Sequence, residues 1–250
     1  MRSPANKKNG VIAILDALGA AHYSDENIQT FLKSRENVLG LLDKKIEGMP
    51  DRIERNDVTV FTFNDTILIA YRTDALPPTL KQIETFFTLL RKFLVDSLSN
   101  GILLRGSVAI GTFYVDDDSN TVMGQAVTDA AAWYDKADWI GIQATPKGTI
   151  VIQRWLEKHS ATKGHLMVDY NVPLKDGETI RVKAVNWPKV FFVDGLTPCK
   201  SGEKAREKLL QLLSDHPVPL GTEHKFENTI AFFDCVVGDI ERRKKANQTV

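Results

Sequence analysis

The chain predicts an α+β fold built on a βαββαβ core, and three observations carry that prediction. An apolar run with β character opens the chain. A β-branched and aromatic hairpin follows with Asn64-Asp65 at its turn, and two helical apolar stripes lie one on either side of that hairpin. The first run, Gly10–Leu15, is short, apolar and bounded by glycine, the pattern of a buried strand. Ser24-Asp25-Glu26 reads as a helix start, and Ile28, Phe31, Leu32, Val38, Leu39, Leu42 and Ile46 recur at roughly helical spacing as far as about Glu47. Val58–Phe63 and Thr66–Tyr71 then read as a hairpin. Pro77-Pro78 opens a second helix with Leu80, Ile83, Phe86, Phe87, Leu90, Phe93 and Leu94 as its buried stripe. Asn100-Gly101 ends that helix, and Ile102–Ile110 is a fourth strand. This order is the ferredoxin-like arrangement. It sets the first strand centrally, beside a strand of the hairpin.

The second half adds strands and helices at the C-terminal side. Phe113–Thr121 carries Asp116-Asp117-Asp118 and reads as a solvated hairpin tip. Gly124–Ala137 reads as a helix, Trp139–Ala144 as a strand, and 147–158 as a helix. Leu166–Val168 and Ile180–Val185 read as strands, Glu203–Leu213 and Phe226–Lys245 as helices, and Pro173–Glu178 and Thr197–Gly202 as loops. Residues 10–145 are expected to form the core, with 146–250 completing the same domain.

Composition narrows the function classes. Thirty-two basic residues balance 32 acidic ones, so an extended nucleic-acid footprint is not expected. Two cysteines, Cys199 and Cys235, fit no metal spacing and suit a reducing compartment. No apolar stretch approaches the roughly 20 residues of a membrane span. Met1–Asn9 lacks the apolar segment of a signal peptide. The expectation is a soluble cytoplasmic protein.

Two carboxylates stand out. Asp16 ends the first apolar run and Asp65 sits in the hairpin turn. An ionised carboxylate at the edge of a buried sheet is costly unless paired or bound to metal. The ferredoxin-like topology brings these two sheet ends together, as two-metal phosphoryl transfer requires. The structural alternatives are a helix cap for Asp16 and an Asx turn for Asp65.

The strings around Asp16 and Asp65, with Leu104-Arg105-Gly106-Ser107-Val108-Ala109-Ile110-Gly111 and Gly124-Gln125-Ala126-Val127-Thr128-Asp129-Ala130-Ala131, resemble the catalytic domain of class III nucleotide cyclases. The resemblance spans roughly residues 10–145. Val168-Asp169-Tyr170 and Ala184-Val185-Asn186-Trp187-Pro188 look like the short pyrimidine cyclases of bacterial Pycsar anti-phage systems.

The resemblance implies that Asp16 and Asp65 hold two Mn²⁺ or Mg²⁺ ions. It implies that Arg105 contacts the terminal phosphates, the alternative being an edge arginine paired with a nearby carboxylate. Ala17, Leu18, Gly19 and Ala20 would approach the triphosphate, with free N–H groups there to cradle phosphate. It also implies a homodimer with sites at the interface and a product-activated effector protein as partner. Phe61 and Thr121 fall where purine cyclases carry their base-reading residues, and neither can make those bonds. A pyrimidine triphosphate, UTP or CTP with a slight lean to UTP, is the expected substrate; Phe61 either stacks on or narrows the base pocket, or is core. The family's transition-state asparagine and arginine fall on Thr128 and Ala132, so a basic residue elsewhere, with Lys136, Arg181 and Lys183 as candidates, is expected to replace the lost charge. A degenerate cyclase domain sensing nucleotides, and another palm-like phosphoryl-transfer enzyme, are the alternatives.

Overall fold

The computed structural model describes residues 6–19, 24–48, 54–73, 75–116, 119, 121–158, 166–194, 199, 201–216 and 221–248. The core elements are β1 (Asn6–Ala17), α1 (Asp25–Glu47), β2 (Val58–Phe63), β3 (Thr66–Thr73), α2 (Leu80–Ser99) and β4 (Leu104–Asp116). They are followed by β5 (Thr121–Met123), α3 (Gln125–Ala131), β6 (Gly141–Ala144), α4 (Pro146–Lys158), β7 (Met167–Pro173), β8 (Thr179–Val185), the short α5 (Trp187–Lys189), α6 (Gly202–Ser214) and α7 (Glu223–Gln248). The fold is α+β, as the sequence predicts.

One sheet runs in the order β2-β3-β1-β4-β6-β8-β7, with β5 paired to β4. The first four strands reproduce the ferredoxin-like order. β1 is antiparallel to both β3 and β4, and the later strands extend the β4 edge through a parallel β4–β6 pair. Alternation along β1 divides the sheet into two faces. Val11, Ala13 and Leu15 join the main core with Phe31, Val38 and Leu42 of α1 and Phe86, Leu90 and Phe93 of α2. Ile12 and Ile14 point the other way, into a smaller cluster with Ala70, Ala109, Phe113 and Ala126 and Ala130 of α3. Asp16 follows the same alternation onto this second face.

Several boundaries differ from the sequence reading, each for a local reason. α2 begins after Pro77-Pro78, because Thr79 caps it: the Gln82 N–H donates to the Thr79 hydroxyl while the Thr79 N–H donates to the Gln82 side chain. β1 and β4 are longer than their apolar runs, since their polar outer ends still pair, Asn6 with Val115. α3 stops at Ala131, not Ala137. The Trp133 carbonyl is taken by the Gln143 side-chain amide at 3.2 Å, and Ala137 bridges to Leu174. Within the expected hairpin tip, Asp117 and Asp118 lie outside the described residues.

Gly106, next to Arg105 on β4, is required by close packing. A Cβ there would lie 2.3 Å from the Ile14 carbonyl oxygen and 2.6 Å from Leu15 Cδ2. Gly106→Ala is therefore expected to cost about 2–3 kcal/mol through overpacking, read as a fall of about 5–8 °C in Tm. An unchanged melting curve would mean that β1 and β4 yield more than this spacing implies.

Candidate active site

The meeting point of β1 and the β2–β3 hairpin gathers the charged groups. In β1–β3, Asp16 pairs with Thr66; in β1–β4, Asp16 pairs with Arg105. Asn64 opens the hairpin turn with a positive φ of 53°, a conformation asparagine tolerates. The Asp65 carbonyl then accepts from the Ala17 N–H at 3.2 Å, which ties the turn to the end of β1. The Asn64 side-chain amide donates to Asp65 Oδ1 at 3.1 Å.

Arg105 answers the charge of Asp16 directly. Its Nε and Nη2 donate to Asp16 Oδ2 at 3.0 and 2.8 Å, and its Nη1 reaches the Asp135 carbonyl at 3.4 Å. The two side chains are only 12% and 14% exposed. Burial nevertheless holds the Asp16 carboxyl above its ordinary range; Arg105 opposes that shift, and the Asp65 charge adds to it. Tyr134, packed against the smaller cluster, has its phenol raised first by burial and then by Asp16 and Asp135, so it stays protonated at neutral pH.

Lys175 completes the cluster, and sequence reasoning missed it within an expected loop. The β7–β8 turn docks on the segment after α3: the Lys175 N–H donates to the Lys136 carbonyl at 3.0 Å, and the Asp138 N–H donates to the Pro173 carbonyl at 2.9 Å. Lys175 Nζ then lies 3.7 Å from Asp135. Burial lowers its pKa first, then Arg105, while Asp135 and Asp16 act in the opposite sense. The docking segment is itself pinned by α7: Lys225 pairs with Asp138 at 2.9 Å, and the Asn228 side chain donates to the Asp138 carbonyl at 2.7 Å.

The remaining expected residues fall in several places. Phe61 is half-buried, pairs with Leu68 and packs in the smaller cluster on the Asp16 face. The N–H groups of Ala17 and Leu18 are already engaged, by the Asp65 and Leu103 carbonyls. This corrects the expectation that they stand open to phosphate; sheet pairing uses them. Gly19 turns with a positive φ of 85°, and Ala20 lies outside the described residues.

Thr121 starts β5 opposite Asp116, eleven residues along β4 from Arg105, or about 35 Å at strand rise. Thr128 and Ala132 are exposed at α3 and just beyond it. Thr121 therefore does not meet the Asp16 cluster within one chain. Of the three basic candidates, Lys183 is ion-paired with Asp169 at 2.9 Å, and Arg181 lines a shallow cavity with Asp169 and Glu157. Lys136 joins through its backbone, with its side chain exposed.

The donor set at the strand ends is two carboxylates. Among the described residues no group of three or more His, Cys, Asp or Glu is placed to hold a metal. An oxygen-only pair fits a hard divalent ion whose other ligands come from phosphate and water, not a closed structural site.

No family model and no curated protein matches the chain. Solved structures with a similar fold include the catalytic core of a rhodopsin-guanylyl cyclase with converted specificity in complex with ATPαS, at 13% identity and a TM-score of 0.48, covering 73% of this chain and 98% of that one. They also include the adenylyl cyclase CyaB from P. aeruginosa, at 12% identity and a TM-score of 0.42, covering 73% and 96%. Among the described residues no helix is long and apolar enough to cross a membrane.

Proposed function

We propose that this chain is a nucleotide cyclase that closes a pyrimidine ribonucleoside triphosphate, UTP before CTP, to its 3′,5′-cyclic monophosphate. The observation that carries the reading is the juxtaposition of Asp16 and Asp65 at paired strand ends with Arg105 on Asp16. In the reaction the ribose 3′-hydroxyl gives up its proton to solvent as its oxygen attacks the α-phosphorus, the bond from that phosphorus to the α–β bridging oxygen breaks, and pyrophosphate leaves with its charge. Two Mn²⁺ or Mg²⁺ ions, when bound, would supply hydroxyl activation and phosphate neutralisation there.

The chain's own groups do the rest. Asp16 and Asp65 would hold the ions. Arg105, which neutralises Asp16 in the free chain, turns its planar fork to the terminal phosphates once another cation compensates Asp16. Lys175 pairs with Asp135, whose carbonyl Arg105 reaches, and we assign it the stabilisation of leaving-group charge in place of Lys136, Arg181 and Lys183.

Phe61 supports the pyrimidine reading. An aromatic side chain on the Asp16 face offers stacking and a narrower pocket and makes no purine-specific hydrogen bond. The open side of that face supports a homodimer. Phe63, two residues along β2 from Phe61 and so on the same face, is 84% exposed. Thr121 would then reach a site from the partner. By the resemblance noted above, the cyclic product would activate an effector in anti-phage defence.

The test is incubation with each of the four ribonucleoside triphosphates and Mn²⁺, products resolved by mass spectrometry. A cyclic pyrimidine monophosphate is expected and a cyclic purine overturns the base assignment. Divalent-dependent nucleotide binding with no product from a folded dimer would make the chain a nucleotide sensor.

A further inference from the structure

A cavity of about 630 Å³ opens at the edge of β4 from Ile110 to Thr112, beyond the stretch that pairs with β6. It is walled by one face of α4, by β4 around Ile110, and by the 76–79 segment that leads into α2. Ile110 belongs to the main core, whereas Gly111 faces Ala126 of the smaller cluster and Gln125 of α3 also lines the cavity, so it spans the strand edge between the two faces. Ile110 also lies five residues along β4 from Arg105, about 17 Å at strand rise. The cavity is a separate place from the acidic cluster.

Its lining has two parts. The α4 residues that face it are Lys147, Val151, Arg154, Trp155 and Lys158, spaced as one helical stripe. Trp155, Ile110 and Pro78 are buried and form an apolar floor, whereas Lys147, Arg154 and Lys158 are exposed around the mouth. Among the described residues no acidic side chain lines it. Arg154 also borders the neighbouring shallow cavity with Glu157 and Asp169, but Lys147 and Lys158 border only this one. Three cations without a carboxylate, in a chain of zero net charge, are a local concentration of one sign.

Size and charge together define the occupant. The volume falls within the range of small-molecule sites, roughly 300–1,000 Å³. An aromatic or aliphatic body buries against Trp155, Val151 and Ile110, and a single anionic group then meets the lysines at the rim. We infer that this cavity is a second ligand site, for a small amphipathic anion: an apolar body carrying one carboxylate, sulfonate or phosphate ester.

The test is a fluorescence titration of the full chain with two dyes of the same body, 8-anilinonaphthalene-1-sulfonate and uncharged N-phenyl-1-naphthylamine. The sulfonate is expected to bind one per chain and at least about tenfold tighter than the neutral dye, since a charged contact at the mouth is worth about 1.4 kcal/mol or more. Lys147→Gln with Lys158→Gln should erase that preference while leaving the melting curve in place. Val151→Trp should abolish binding of both dyes by filling the cavity. Equal affinity for the two dyes, a preference that survives loss of both lysines, or binding undiminished in Val151→Trp would each overturn the assignment. None of these outcomes bears on the cyclase reading.

Discussion

Asp65→Asn is expected to abolish turnover while making the free protein slightly more stable. The substitution keeps the oxygen that accepts from the Asn64 amide, so the hairpin turn retains its side-chain bond. It removes a negative charge that pushes the Asp16 carboxyl upward. Relief of that repulsion is worth about 0.5–1 kcal/mol, or about 2 °C in Tm for a chain of this size. The sign follows from the direction of the Asp16 shift. A raised carboxyl contributes stability below its ordinary value of 3.8 and loses it as pH climbs through the higher folded value. The gain from Asp65→Asn therefore appears at neutral pH and fades in acid, as the Asp16 carboxyl takes up its proton. Activity should fall by about 10³-fold or more, because one neutral amide replaces half of the anionic donor set. Calorimetry at two pH values beside a cyclase assay checks both halves. A variant that melts lower at pH 7, or that keeps its turnover, would remove Asp65 from the site. Such opposed effects on stability and activity are what a site that concentrates like charge should produce.

That same site shows how far local sequence reaches. The approach of the Asp65 turn to the Asp16 end of β1 was legible because it needs only strand order and one tight turn, both written in adjacent residues. The βαββαβ order was legible for a similar reason, since alternation along Val11–Leu15 and the helical stripe from Ile83 to Leu94 report burial directly. α3 was overextended because the helical pattern continues past Ala131, and what stops it is remote. Gln143, on β6, takes the Trp133 carbonyl, and Leu174 bridges Ala137. The open phosphate cradle at Ala17 and Leu18 failed for the complementary reason: small residues signal close approach but not which carbonyls have already claimed the N–H groups. Lys175 was invisible altogether. In sequence it is one lysine in a Lys-Asp-Gly turn, and its place beside Arg105 depends on that turn docking on a segment far back along the chain, where the Lys136 carbonyl and the Asp138 N–H receive it. The α4 stripe was readable as a helix, but its basic rim becomes meaningful only when Ile110 and Pro78 supply the floor.

Arg105 and Lys175 should separate on mutation, although both are cations of one cluster. Arg105→Ala leaves Asp16 mostly buried without its two charged donors, and breaking such a pair costs about 2–4 kcal/mol. Asp16→Asn with Arg105→Ala should recover a large part of that loss, giving a coupling energy of about 1.5–3 kcal/mol in a double-mutant cycle read by denaturant unfolding. Lys175→Ala should cost little stability, at most about 0.5 kcal/mol, because its side chain and that of Asp135 are 43% and 44% exposed and 3.7 Å apart. Its effect should fall on turnover instead, about 10²-fold in kcat with KM little changed, if it stabilises charge that develops only as pyrophosphate leaves. Lys175→Arg keeps the charge and should restore part of the rate. Equal stability losses in the two single variants would mean that Lys175 is a structural partner of Asp135. A Lys175→Ala enzyme with unchanged kcat would show that Lys175 does not supply the missing cation and would make Lys136, whose side chain is exposed, the next variant to test.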